Sequence, residues 1–462
     1  MAEQPKPLNI RPRILYQVAK AAWEGKLFEQ REEICRLVMQ EFQDKATQRQ
    51  VANQIRIAMG LDPHNDAAVL TEDDELALMG MGSEPVVVAN PDACRSCPEG
   101  DRACEKACPV AAITRDELGR LRINYEKCIG DGHCVDVCDF GALAHKSQFV
   151  PLIEILRQRS HPVYASVAPA FAGQFGPNVT PGKLRSALLK LGFTDMVETA
   201  LYADLITMKE AFEYDHFVQT ETDFMLTSCC CPVWIKLIES RFPELIDHIS
   251  PSVSPMIASG RVIKALQPEA KVVFIGPCVA KKSEAQLPDL KGAIDFVLTF
   301  QELATIFAAA DINVEDQPDE ENAQASWGGR IYGRTGGVSS AVGSTLKALV
   351  PRRAENFKPV KVDGIPDCQK VLDRIKNGQL DANFIEGMAC KGGCVGGPGR
   401  LIPPEEGTAH VNRYGSVSHA QTPVENPHVY AILARLGHKQ LPELTGEGPM
   451  SVLLARKLTG NS

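Results

Sequence analysis

Six cysteines of this chain stand in three short motifs separated by long stretches of other sequence. They are Thr227-Ser228-Cys229-Cys230-Cys231-Pro232, then Pro277-Cys278 running on to Lys281 and Lys282, then Glu386-Gly387-Met388-Ala389-Cys390 with Cys394 four residues later. Thiolates select soft metals and above all iron–sulfur clusters. Only a fold that converges three distant segments on one point can use such residues together. Each motif also carries a lysine, a methionine or a spare cysteine, which a plain electron-carrying cluster does not need. The pattern implies a four-thiolate metal site with unusual polar neighbours.

A second cysteine-rich stretch runs from Pro91 to about Phe149. The bacterial two-cluster pattern is C-x2-C-x2-C-x3-C-P, twice, each fourth cysteine serving the other cluster. The first run here is Cys94, Cys97, Cys104 and Cys108-Pro109, its middle spacing lengthened around Pro98 to Arg102. The second is Cys128, Asp131, Cys134 and Cys138, with Asp131 where a cysteine is expected and Asp139 in place of the proline. The crossed assignment gives one cluster to Cys94, Cys97, Cys104 and Cys138. The other takes Cys108, Cys128, Cys134 and either Asp131 or nothing. A carboxylate is a harder ligand than a thiolate, so this second cluster is either a four-iron cluster with one oxygen ligand or a three-iron cluster. His133 is a weaker alternative ligand. Seven cysteines in this register argue against zinc.

Composition narrows the classes. A chain of 462 residues allows two or three domains, and 44% hydrophobic residues suffice for real cores. The net charge of −9 argues against nucleic acid as a partner. No apolar run approaches the roughly 20 residues that span a bilayer, which argues against a membrane span. The start of the chain is polar, without a secretory apolar core, so the expected location is cytoplasmic. The 15 cysteines then read as metal ligands rather than a disulfide framework. Cys35 and Cys368 fall outside the motifs and read as small apolar core residues.

Residues 1–85 read as helical, from Ile14, Val18, Ala21, Ala22 and Leu27 and then Ile34, Val38 and Phe42 at near-helical spacing. No chemistry is evident there, and the segment reads as a small docked helical region or a partner-binding one. Residues 86–150 form the cysteine-rich module. Beyond it, residues 151–462 alternate short buried strands with helices. The expected strands are Val163 to Val167, Met225 to Thr227, Val272 to Ile275, Phe296 to Thr299 and Asn383 to Ile385. The expected helices include Lys183 to Leu191 and Gln301 to Ala310. This is an α/β pattern, with the cysteine motifs at strand ends.

The three motifs, in this order and with these neighbours, resemble the catalytic domain of iron-only (FeFe) hydrogenases. The resemblance covers about residues 90 to 437. It implies an enzyme that interconverts H2 with protons and electrons. It also implies an α/β domain of two lobes, near residues 155–260 and 261–390, with the H-cluster between them and a helical return at the C-terminus that includes Glu425-Asn426-Pro427. A ferredoxin-like α+β module and the N-terminal helical region precede it. The resemblance assigns Cys231, Cys278, Cys390 and Cys394 to a 4Fe–4S cubane. Cys394 also bridges to a two-iron subsite carrying CO, cyanide and azadithiolate. Lys281 becomes a donor to a cyanide, Met388 a soft filler, Ala168-Pro169 a source of backbone contacts, and Lys282 a surface residue. Implied partners are a ferredoxin or similar low-potential electron carrier and the maturation proteins that build the subsite.

Relatives usually carry Thr-Ser-Cys-Cys-Pro, so one cysteine here is extra. Anchoring on Cys231-Pro232-Val233-Trp234 makes Cys230 the proton-relay thiol and Cys229 the extra residue; anchoring on Thr227-Ser228 shifts this by one. The resemblance continues the relay through Glu210, Ser250 and Glu213. The two glutamates stand three apart on a helical segment and share a face. The usual outermost arginine falls on Phe217. Ala170, Gly276, Met256 and Tyr332 replace the residues relatives often carry around the subsite. Two other functions share these ligands: a hydrogenase-like iron–sulfur assembly protein, which lacks the relay thiol and the lysine, and an H2 sensor, which carries an added signalling domain.

Overall fold

The computed structural model describes residues 10–42, 46–64, 69, 74, 85–90, 93–96, 102–138, 141–320, 323–437, 444 and 448–458. Cys97, the inserted residues 98–101 and Asp139 lie outside the described residues. The chain divides into two compact units. One comprises Met1–Ser160 with Gln301–Asn313, the other His161–Phe300 with Val314–Ser462.

The first unit begins with three helices, Arg11–Glu24, Leu27–Glu41 and Gln48–Met59. The expected stripe Ile14, Val18, Ala21, Ala22 and Leu27 is buried, as are Ile34 and Val38. Thr47 caps the third helix by accepting from the Gln50 amide at 3.2 Å. Gly25 and Gly60 end the first and third helices in the left-handed conformation that glycine adopts freely. The cysteine-rich module follows. Strand β1 (Val87–Ala89) pairs antiparallel with β4 (Leu143–His145), and β2 (Ile113–Arg115) forms a hairpin with β3 (Leu121–Ile123). The expected borders near residues 85 and 150 do not separate compact units. Helix Phe149–Gln158 also stays in the first unit, because it packs on helix Arg11–Glu24.

The second unit holds seven strands among the described residues: β5 (Val163–Val167), β6 (Asp195–Glu198), β7 (Met225–Leu226), β8 (Lys271–Ile275), β9 (Phe296–Leu298), β10 (Pro359–Asp363) and β11 (Phe384–Met388). They form two parallel sheets, ordered β6-β5-β8-β9 and β10-β11-β7. This corrects the expected lobes. β8 and β9, beyond residue 260, belong with β5, while β7, before it, pairs with β11. Parallel strands need helical crossovers, so neighbours in a sheet are distant in sequence. A division at one point of the chain could not follow them.

Helix starts are well specified. Thr180 and Ser254 cap helices Pro181–Leu191 and Pro255–Leu266, each with proline in the first turn. The C-terminal return is helical, with Pro404–Ser416, Pro427–Arg435 and Pro449–Leu453, and Asn426 caps the second by accepting from the His428 amide. Parallel sheets place ligand sites at the carboxyl ends of their strands. Here Ala168-Pro169 follows β5, Thr227 follows β7, Pro277-Cys278 follows β8 and Ala389-Cys390 follows β11.

Candidate active site

The loop after β7 is short and firmly tied. Its Thr227 amide donates to the Ile385 carbonyl at 2.9 Å, which continues the β11 pairing. Ser228 takes a left-handed φ of 69°, uncommon for a residue with a side chain. The turn closes with the Cys231 amide on the Ser228 carbonyl at 2.9 Å. Cys231 then starts helix Pro232–Arg241, and Trp234 Nε1 donates back to the Thr227 carbonyl at 2.8 Å. The segment after β11 meets the one after β8, where the Gly399 amide donates to the Pro277 carbonyl at 2.7 Å. A Cβ on Gly397 would come within 2.6 Å of that carbonyl oxygen.

These turns gather the thiols. Cys231 and Cys278 both act on Cys394, and Lys281 acts on all three. Cys390 stands at the turn whose closure is the Gly393 amide on its carbonyl at 3.1 Å. Burial pushes the Cys278 thiol up to about 11 and the Cys394 thiol up to about 12, with neighbouring thiols adding to the rise and Lys281 opposing it. Yet Cys231, Cys278, Cys390 and Cys394 are only partly covered by protein. None of the four is in a disulfide. Among the described residues no three His, Cys, Asp or Glu side chains are arranged to hold a metal ion. The unbridged thiols of Cys231, Cys278 and Cys394, which act on one another and on Lys281, fit ligands of an iron–sulfur cluster.

Cys230 is 8% exposed and packs in one apolar cluster with Met388, Met225 and Tyr332. Its thiol is raised by burial and then by Cys394, Cys229 and Cys231, while Lys281 lowers it. Lys281 is 6% exposed. Burial lowers its pKa, but Glu284, Cys278 and Cys230 outweigh that and the ammonium is held charged. Lys281 Nζ lies 2.5 Å from Glu284 Oε2. Lys282, expected at the surface, is fully buried. The short helix Ala280–Glu284 that carries both lysines packs against helix Pro232–Arg241 and against β9, which leaves neither side free.

The expected proton path is also brought together, on helix Thr199–Phe217. Glu210 and Glu213 are buried, so they do not form a solvated face. Glu210 Oε1 accepts from Thr227 Oγ1 at 2.9 Å. Glu213 Oε2 accepts from Ser250 Oγ at 2.7 Å, and Ser252 Oγ lies 3.2 Å from both its oxygens. Burial pushes the Glu210 carboxyl up to about 8, the charge of Glu213 adds to it, and contacts from Thr227, Cys229 and Ser250 offset part of the rise. Cys229, read from the sequence as the extra residue, is coupled to this carboxyl. Its thiol is raised by burial and then by Glu210 and Glu213. Phe217 ends the helix and is exposed.

Ala168 and Gly276 stand side by side, and a Cβ on Gly276 would meet the Ala168 Cβ at 3.1 Å. Ala170 and Met256 are buried. Tyr332 OH shares a 2.7 Å hydrogen bond with Thr207 and feels Glu210, Cys229 and Cys230. The sequence reading missed Thr227, Lys209, Ser252 and Glu284, all polar groups fixed only by tertiary contact. Thr227 sat inside a motif and Lys209 beside Glu210, so both carried a positional signal.

In the cysteine-rich module the described ligand candidates act on one another. Cys104 is pushed up to about 11 by burial and then by Cys138 and Cys94. Cys134 is raised by burial and then by Asp131, Cys128, Cys108 and Cys104. Backbone and side-chain donors already reach two of the sulfurs, the Ala112 amide at 3.2 Å from Cys108 Sγ and Arg115 at 3.6 Å from Cys94 Sγ. Asp131 is 8% exposed, and its Oδ2 lies 2.9 Å from His133 Nδ1.

Residues 161–398 match the family described as "Iron only hydrogenase large subunit, C-terminal domain", and residues 84–142 match "4Fe-4S dicluster domain". The chain belongs to the iron-only hydrogenase family. It is 31% identical over 356 residues to the periplasmic Fe hydrogenase large subunit of Nitratidesulfovibrio vulgaris, covering 66% of this chain and 85% of that one. It is 32% identical to iron hydrogenase 1 of Clostridium pasteurianum over 52% of this chain, and spans 48% of that longer protein. The cytosolic iron-sulfur assembly component 3 of Pongo abelii is 25% identical over 57% of this chain and 67% of its own length. The solved FeFe hydrogenase of Chlamydomonas reinhardtii superposes with a TM-score of 0.55 at 19% identity, over 68% of this chain and 99% of that one, and supports the fold. A ferredoxin-like iron–sulfur module thus precedes an α/β hydrogenase-type domain in a metal-binding, iron–sulfur protein of the oxidoreductase class. Among the described residues no helix is long and apolar enough to cross a membrane.

Proposed function

We propose that this chain interconverts H2 with protons and electrons. The observation that carries this is the continuity from the grouped thiols to buried carboxyls. Cys230 stands among the ligand thiols and Lys281, Cys229 is coupled to both Cys230 and Glu210, and Ser250 bonds Glu213 beyond them. An assembly or scaffold protein has no use for a line of proton-bearing groups leading away from its cluster.

In this reading Cys231, Cys278, Cys390 and Cys394 hold the cubane, and Cys394 also holds the two-iron subsite. That H-cluster, when bound, supplies the redox chemistry at H2. The protein supplies the rest. Lys281 presents ammonium protons that suit an anionic ligand, while Glu284 keeps it charged and in place. Cys230 holds an exchangeable proton at its thiol. Glu210, pushed up to about 8, holds a proton near neutral pH, where a relay works best. Ala168 and Gly276, side by side after their strands, would offer the subsite little but backbone. In the ferredoxin-like module Cys94, Cys97, Cys104 and Cys138 would hold one cluster and Cys108, Cys128, Cys134 and Asp131 the other, and these clusters would supply one-electron redox capacity. The partners are a low-potential carrier such as ferredoxin and the maturation proteins that load the subsite.

The assembly-protein reading draws on the 25% identity to the Pongo abelii protein. Cys230 and Lys281 weigh against it. The deciding experiment supplies matured protein with reduced low-potential donor, after infrared bands of CO and cyanide establish that the subsite is loaded. Loaded protein is expected to evolve H2. Loaded protein that neither evolves nor consumes H2 would remove the enzyme reading and leave the assembly role.

A further inference from the structure

Lys209 is 2% exposed on helix Thr199–Phe217, one residue before Glu210 and one turn before Glu213. A buried ammonium is costly unless paired. Its Nζ forms a short ion pair with Glu213 Oε1 and donates to Ser252 Oγ at 3.1 Å. Ser252 Oγ, having accepted that proton, can turn its own hydrogen to Glu213, and Ser250 Oγ donates to the other oxygen at 2.7 Å. Every contact that Glu213 makes is therefore with a donor. A proton on this carboxyl would displace one of them.

Glu210 is arranged differently. One oxygen accepts from Thr227 at 2.9 Å, while the other, buried, has only the looser approaches of Cys229 and Ser250. The two carboxyls share a helix face, yet among the described residues the ion pair is made to Glu213. The groups facing Glu210 are Glu213 from its own helix, Thr227 and Cys229 from the cysteine loop, Ser250, and Tyr332 from the 331–333 turn. Those facing Glu213 are Lys209, Glu210, Ser250, Ser252 and Cys229. We propose that Lys209 is a positioning residue of the proton path: it clamps Glu213 as the ionised far end and so leaves the resting proton on Glu210. This rests on Glu210, Ser250 and Glu213 being the path. Without Lys209, two buried carboxyls would compete for one proton, and the donor–acceptor order along the path would be lost.

The test reads the infrared C=O stretch of neutral carboxyl groups in the full-length protein near neutral pH, in difference spectra between variants. Glu210→Gln should remove the neutral-carboxyl signal of the pair. Adding Lys209→Met to Glu210→Gln should bring a signal back, now from Glu213. Lys209→Arg with Glu210→Gln should not, because the cation remains. A merely structural lysine would move stability but not the carboxyl that holds the proton. In loaded enzyme Lys209→Met should lower turnover about tenfold at neutral pH, the loss for one pKa unit of misplaced proton, and Lys209→Arg should restore most of it. No returned signal in the Lys209→Met double variant, or an equal signal in the Lys209→Arg one, overturns the proposal. If the methionine variant does not fold, the arginine variant decides: a neutral Glu213 in its presence refutes the clamp. Absence of H2 turnover in loaded wild type would overturn the functional reading instead, since the carboxyl signals do not depend on turnover.

Discussion

Thr227 Oγ1 donates to Glu210 Oε1 across 2.9 Å, and this bond joins the cysteine loop to the helix that carries both glutamates. Both partners are fully buried. Loop and helix therefore cannot shift independently without exposing or orphaning a polar group. The hydroxyl also favours the charged form of Glu210 and partly offsets the burial that pushes this carboxyl to about 8.

Replacing Thr227 by valine keeps the shape and removes the donor. Glu210 Oε1 is then left without its partner, which costs about 1–3 kcal/mol. The carboxyl should titrate higher than in wild type, because a group favouring its charged form has gone. Denaturant midpoints and carboxyl infrared titrations check the two halves. A variant with wild-type stability and an unmoved titration would show that the bond does not form.

Cys230→Ala should abolish nearly all turnover with clusters assembled, since alanine carries no exchangeable proton and the thiol stands beside Cys394 and Lys281. Cys229→Ala should also be strongly impaired. That outcome follows from the structure, which couples Cys229 to Glu210 and Glu213 rather than leaving it a spacer. Iron counts and H2 assays on both variants test this, and full activity in Cys229→Ala would return that residue to the role of spacer.

The cysteine motifs showed where the site lies because ligand chemistry is local: Pro277-Cys278 and Ala389-Cys390 can be read without knowing which strands precede them. Strands β5 and β8 were equally legible as short apolar runs. β6 and β10 were not. Asp195 and Glu198 bound the first, and Pro359, Lys361 and Asp363 mark the second as a sheet-edge strand with a wet face. Such alternation over four or five residues resembles a loop. Sheet membership was hidden because parallel pairing links distant segments, as β7 with β11 shows. The burial of Lys282 and the partners of Lys281 and Lys209 were hidden for another reason. A lysine is read as exposed unless its neighbours in space are known.

Asp131→Cys should convert the second cluster of the ferredoxin-like module to four thiolate ligands. Asp131 acts on the Cys134 thiol, as Cys128, Cys108 and Cys104 do, and its carboxylate pairs with His133 at 2.9 Å. Electron paramagnetic resonance of reduced protein should change in line shape, and the potential should shift. His133→Ala should change the same signal less, since it acts on the carboxylate and not on iron. Superimposable spectra from wild type and Asp131→Cys would exclude the aspartate as a ligand.

Glu284→Gln should destabilise the protein by about 3–5 kcal/mol, because it strands the buried Lys281 ammonium. Lys281→Met together with Glu284→Gln should recover much of that loss, since both charges then leave together. Chemical denaturation of the single and double variants under anaerobic conditions measures the difference. Strictly additive losses would mean that the pair is not coupled.

The raised carboxyl of Glu210 fixes the sign of a pH effect. Its value is 4.5 in the ordinary state and about 8 in the fold, raised first by burial and then by Glu213. Between these values the folded protein binds a proton that the unfolded chain has lost. The stability to unfolding therefore falls as pH rises through this window, by at most about 1.4 kcal/mol per pH unit, and levels off above about 8. Glu210→Gln carries no such proton, so its stability should change less across the same window. H2 evolution should follow the same group, falling as pH passes about 8 and the relay loses its resting proton. Denaturation curves of wild type and Glu210→Gln at several pH values give the comparison. Parallel pH slopes in the two proteins would show that Glu210 does not carry the proton.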